Sequence, residues 1–124
     1  METFIFIVLV HWIADFIFQD EYWATNKSKE WSPLLKHTLT YSLLWIIPIF
    51  IFTGSIIGAF IFSIVTFIAH TITDYFTSRV VSQKFKDGHY GSPIPNFGAF
   101  TIIGFDQVLH YVQLILTWYV LFNF

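Results

Sequence analysis

Histidine and aspartate stand one helical turn apart three times, inside stretches that are otherwise almost purely apolar: His11 with Asp15, His70 with Asp74, and Asp106 with His110. His37 stands alone in the remaining apolar stretch. An i, i+4 spacing puts both members of a pair on one helix face. A charged residue at the centre of a lipid-crossing helix costs about 2.5–3.5 kcal/mol, so three such aspartates carry a penalty of about 8–10 kcal/mol. A chain built this way must turn its polar faces toward one another and supply something that offsets the negative charge. A bound metal ion, or a small cluster of them, is the simplest candidate.

Composition sets the solvent. Of 124 residues, 56% are hydrophobic and 11% are charged, with 16 Phe, 5 Trp and 6 Tyr. That balance predicts an all-α, polytopic membrane protein with the lipid bilayer as its surroundings. There is no cysteine, so any metal site must use imidazole, carboxylate, amide or water. The net charge of −2 gives no reason to expect a nucleic-acid partner. The first apolar stretch lacks a basic leader region and carries His11 and Asp15, so it reads as a retained helix and not as a cleaved signal.

Four spans are predicted within one domain, at about residues 3–19, 34–52, 56–81 and 98–123, each approaching the ~20 residues that cross a hydrocarbon core. Pro33 suits the first turn of the second span, and Pro48 predicts a kink near its far end. Thr53-Gly54-Ser55 leaves room only for a hairpin reversal. Residues 82–96, rich in Gly, Pro and polar side chains, predict a long lid or rim loop.

An up-down-up-down bundle brings the end of span one, the start of span two, the end of span three and the start of span four to a single side. At ~1.5 Å per residue, all seven ionisable groups then lie roughly 6–16 Å below that side. The reversed order in span four, Asp106 before His110, compensates for its opposite direction and keeps the histidines deeper than the aspartates. The same side carries Lys27, Lys29, Lys36, Arg79, Lys84 and Lys86, which are all of the basic side chains. The positive-inside rule places it in the cytoplasm of a cell whose inner membrane holds the protein, with both termini outside. Tyr22, Trp23 and Trp31 fit an interfacial aromatic belt, and the apolar surface allows a homo-oligomer.

Neutral imidazole and ionised carboxylate suit Zn foremost, with Mn and Fe as alternatives. His11, Asp15, His37, His70, Asp74, Asp106 and His110 are the candidate metal ligands; together they exceed what one tetrahedral ion needs and suit a two-metal site. Asp15 or Asp74 is the candidate bridge or general base. Gln107 and Lys36 are candidates for holding a substrate, and Gln19 and Gln107 for orienting water or a ligand histidine. Lys27 and Lys36 could each meet a phosphate, although both also fit as interface markers. The chemistry expected is metal-dependent hydrolysis of a phosphoester or lipid-linked phosphate. The alternative is a transporter or channel for divalent metal or protons.

Several motifs together resemble a known family. His-Trp-Ile-Ala-Asp-Phe-Ile-Phe-Gln over residues 11–19, Lys27 ten residues before His37, His-Thr-Ile-Thr-Asp over 70–74 and Asp-Gln-Val-Leu-His over 106–110 are similar to the small bacterial and phage membrane proteins of domain-of-unknown-function family 3307. The match covers nearly the whole chain. More loosely, the pattern resembles membrane-bound metal-dependent hydrolases and helical zinc phospholipases, which implies metal ligation by the same seven His and Asp residues.

Overall fold

A computed structural model describes residues 1–91 and 97–122, and all regular structure among them is helical. Six α-helices follow in order: α1 (Glu2–Trp12), α2 (Glu21–Asn26), α3 (Trp31–Leu44), α4 (Ile46–Thr53), α5 (Ile56–Lys86) and α6 (Ala99–Phe122), with a π-turn over Ile13–Ile17 continuing α1. Among the described residues, three stretches are long and apolar enough to cross a membrane: Trp31–Thr53, Ile56–Lys86 and Ala99–Phe122. The first segment falls short of the predicted span. Its continuous helix ends at Ile17, and the chain turns away before Asp20, whose carboxylate accepts from Tyr22 N at 2.7 Å to start α2.

The other boundaries differ for local reasons. α3 and α4 form one rod with a break at Trp45, because Pro48 has no N–H to give to the carbonyl of Leu44. Gly54, at φ +71°, ends α4 in the left-handed conformation. Ser55 then caps α5 by accepting from Gly58 N at 3.0 Å. α5 runs five residues past the predicted end at Val81, since nothing in Ser82–Lys86 breaks a helix; it stops at Asp87-Gly88, with Gly88 at φ +72°. The first residues of the predicted lid loop are therefore helix, and Ser92–Asn96 lie outside the described residues, as does the predicted end of span four at Asn123. The base of that loop is pinned: Ala99 N donates to His89 O at 2.8 Å and Phe100 N to Tyr90 O at 2.9 Å. These two carbonyls satisfy donors that a helix start leaves open.

α5 is the central helix, packed against α3, α4 and α6, while α1 lies against α6. Two cores sit end to end along the bundle. One is apolar, with Ile7, Trp45, Ile49, Phe62, Leu114 and Trp118 all buried. The other is polar and equally buried, built from His11, Asp15, His37, His70, Asp74, Asp106 and His110. The outer surface is its inverse, with Phe4, Ile5, Leu9, Ile47, Ile57, Ile64 and Val120 all exposed. An apolar exterior around a polar interior is what lipid selects and water opposes.

Candidate metal centre

The π-turn decides where Asp15 points. Phe18 N reaches back five residues to Ile13 O at 3.1 Å, so the chain after Trp12 is wound more loosely than an α-helix. His11 and Asp15 consequently face different partners, and their closest charged atoms stand 3.8 Å apart. Asp15 enters the space between α3 and α5.

Four side chains converge there. His37 Nε2 lies 3.1 Å from Asp15 Oδ1, 3.2 Å from His70 Nε2 and 3.4 Å from Asp74 Oδ2. His70 Nε2 lies 3.6 Å from Asp15 Oδ1 and 3.5 Å from Asp74 Oδ1. An imidazole nitrogen has one proton or one lone pair to aim, so hydrogen bonds cannot serve three close neighbours at once. A cation can. Ligand atoms arranged tetrahedrally at metal–ligand lengths of about 2.0–2.2 Å stand about 3.3–3.6 Å apart, close to the separations among Asp15 Oδ1, His37 Nε2 and His70 Nε2, while Asp74 meets the two histidines through different oxygens.

A second group adjoins the first through Asp74. His110 Nε2 stands 3.2 Å from Asp74 Oδ1 and 3.2 Å from Asp106 Oδ2. Its ring stacks on that of His70, with centroids 4.0 Å apart at 8°. Thr77 donates to Asp106 Oδ1 at 2.5 Å. Lys27, from the C-terminal end of α2, donates to Asp74 Oδ2 at 2.7 Å. Burial works against its charge, but Asp74 and Asp15 outweigh that and hold the ammonium above the usual lysine value.

His11 belongs to a supporting chain. Tyr41 OH donates to His11 Nδ1 at 2.6 Å, His11 Nε2–H donates to Gln107 Oε1 at 2.7 Å, and the Gln107 amide donates to Asp15 Oδ2 and Asp106 Oδ2 at 3.2 Å each. The directions are mutually determined. The amide nitrogen must face the two carboxylates, so its oxygen faces His11, and the imidazole proton sits on Nε2. Both ring nitrogens of His11 are thereby committed to neutral partners.

A cavity of about 530 Å³ opens onto this cluster from the side of α2. Asp15, Asp74 and Asp106 line its floor; Lys27, Lys29 and Lys86 line it nearer the surface.

A family model described as "Protein of unknown function (DUF3307)" matches residues 3–124. The chain belongs to the DUF3307 family. No curated protein and no solved structure matches it.

Within this DUF3307 chain, six of the seven expected ligands come together at Asp74 and its neighbours, and the seventh, His11, stands one layer back. Gln107 is beside the cluster as expected, through bonds to carboxylates. Gln19 lines the cavity, and its Oε1 is buried without a hydrogen-bond partner. Lys36 is exposed and does not line the cavity; the lysine that reaches the carboxylates is Lys27. Position explains the exchange. Lys36 lies one residue from buried His37, about 100° around the helix, and so faces outward. Lys27 leaves a loop whose direction no periodicity reveals. Tyr41 and Thr77 are further members that apolar periodicity leaves unmarked; both lie four residues, or close to it, from cluster residues, which is the signal that finds them.

Proposed function

We propose that this protein is a membrane-embedded, metal-dependent hydrolase of phosphoesters, with one divalent ion held by Asp15, His37, His70 and Asp74. The observation that carries the reading is the convergence of Asp15, His37 and His70 at 3.1–3.6 Å, with Asp74 reaching the two histidines through its two oxygens at 3.4 and 3.5 Å. Charge supports a single ion. Three buried carboxylates face one ammonium, Lys27, which leaves two negative charges if the imidazoles are neutral. One divalent cation balances them. Lys27 then stands where a two-metal site would hold its second cation. Zn fits the imidazole–carboxylate donor set first, with Mn and Fe as alternatives.

Such an ion acts as a Lewis acid and lowers the pKa of a bound water toward ~7. The protein's side chains do the rest. Lys27 meets the phosphoryl oxygens. Asp106, on the cavity floor and held by Thr77 and Gln107, takes the proton of the attacking water. The water oxygen bonds to phosphorus, the ester P–O bond breaks, and the proton passes to the leaving alkoxide. Gln107 and His11 hold the carboxylates in position.

The membrane setting includes α1 with its π-turn as a fourth crossing. Its 16 helical residues, Glu2–Ile17, span about 24 Å at ~1.5 Å each, and Phe4, Ile5, Leu9, Trp12, Ile13 and Phe16 form an exposed apolar surface around it. The six basic residues at the cavity end favour a cytoplasmic mouth in an inner membrane. Transport is the weaker reading, because the opposite end of the bundle is closed by Trp45, Phe62, Leu114 and Trp118. Two imidazolium ions would balance the same charge and make the cluster a proton relay, so metal content separates the readings. Protein purified in nanodiscs is expected to hold one metal per chain by elemental analysis and to release phosphate from phosphoesters until a chelator is added. A fully loaded protein inert across phosphomonoesters and diesters, or one that takes up no metal, overturns the assignment.

A further inference from the structure

We infer that the cavity is the headgroup site for a lipid phosphate monoester, which enters sideways from the membrane with its chain left in the lipid. The inference rests on the phosphoester reading above and names the substrate class. Three independent features of the cavity support it.

The first is charge. Lys27, Lys29 and Lys86 line the cavity above a carboxylate floor, and Lys29 and Lys86 are exposed at the surface. An anionic phosphate is drawn by such a rim, and the proposed ion on the floor receives it. The second is a pair of idle polar atoms. Ser78 Oγ and Gln19 Oε1 are buried without hydrogen-bond partners, and both residues line the cavity. Buried polar atoms in native proteins nearly always have partners. The phosphoryl oxygens accept from the Ser78 hydroxyl, and the one hydroxyl that a monoanionic phosphate monoester retains donates to Gln19 Oε1.

The third feature selects a lipid over a soluble ester. One part of the wall is apolar: Phe16 from the π-turn, Val81 and Phe85 from α5, and Ile103 from α6. Phe16 is 49% exposed and Phe85 41% exposed, so the same side chains belong to the cavity wall and to the outer surface. A water-soluble phosphoester gains nothing from that wall. An acyl chain lying across Phe16 and Ile103 stays in contact with apolar groups while its phosphate reaches the ion. The cavity volume of about 530 Å³ is within the usual small-ligand range of about 300–1,000 Å³.

The test uses zinc-loaded protein in nanodiscs with two probes that share a headgroup: long-chain phosphatidic acid and soluble glycerol 3-phosphate. Phosphate release is expected to be at least tenfold faster from phosphatidic acid. Native mass spectrometry is expected to show bound phosphatidic acid, reduced at least tenfold by the double change Lys29→Ala and Lys86→Ala, with metal still at one per chain. Equal hydrolysis of both probes overturns the lipid inference and leaves the hydrolase reading standing. So does phosphatidic acid binding that ignores the two lysines. Lysine-dependent binding of phosphatidic acid without hydrolysis of either probe does the reverse: the lipid site stands and the hydrolase reading falls.

Discussion

The two ends of this bundle use the same helices for opposite purposes. At one end Trp45, Phe62 and Trp118 meet in edge and tilted ring contacts, with centroids 5.3 Å apart for Trp45 and Phe62. Nothing there depends on charge. At the other end α3, α5 and α6 bury two carboxylates and three imidazoles from the same continuous rods, and the π-turn adds Asp15. Burying ions is expensive unless each is paired and hydrogen-bonded. The apolar end therefore supplies the packing that holds the polar end together, and the polar end spends it on a binding site.

The sharpest break of that comparison is His70→Ala. It removes a residue that belongs both to the proposed ligand set and to the adjoining group His70–Asp74–His110. Metal content is expected to drop to background by elemental analysis, with helical content by circular dichroism unchanged. Retained stoichiometric metal would mean that the ligand set is misassigned.

Phe62→Ala probes the other end. Phe62 is fully buried, and truncating such a ring costs about 3–5 kcal/mol. Reversible unfolding in mixed micelles is expected to show that loss, while the surviving folded fraction still binds one metal. A variant that loses metal in proportion to stability would show that the two ends are a single cooperative unit.

Gln107→Leu leaves the ligands in place and removes the bonds to Asp15 and Asp106. Removing such an outer partner costs roughly 10–100-fold in metal affinity. Competition with a chelator of known strength measures it, and an unchanged affinity would dismiss the supporting chain. Tyr41→Phe cuts that chain one step further out, at its 2.6 Å bond to His11. A smaller effect is expected, near the ~1 kcal/mol of one net hydrogen bond, read as about fivefold in metal affinity. If Tyr41→Phe exceeds Gln107→Leu, the order of the chain is wrong. Lys36→Ala is the smallest: an exposed position away from the cavity should shift stability by less than ~0.5 kcal/mol and leave phosphate release intact.

Much of the site is written in spacing. His70/Asp74 and Asp106/His110 lie on regular helix, where i, i+4 fixes a common face, and both pairs meet in the structure as that rule requires. His11/Asp15 follows the same spacing but meets less closely, at 3.8 Å, because Asp15 lies within the π-turn over Ile13–Ile17. A π-turn replaces one hydrogen-bond register with the next at little cost, and local residue preferences do not announce it. Lys27 and Lys36 were exchanged for a similar reason: a loop's direction depends on what it packs against.

By itself the sequence determined the all-helical class of fold, three of the four spans it predicted, and the gathering of imidazole and carboxylate at one end. Those follow from periodicity and from the cost of putting charge in lipid, which any arrangement of the chain must respect. Only the tertiary structure decided which atoms converge, that Lys27 pairs with Asp74, and that His11 stands behind the cluster. Such choices turn on distances of a few tenths of an ångström between residues far apart in the chain, and those distances exist only once the helices have packed.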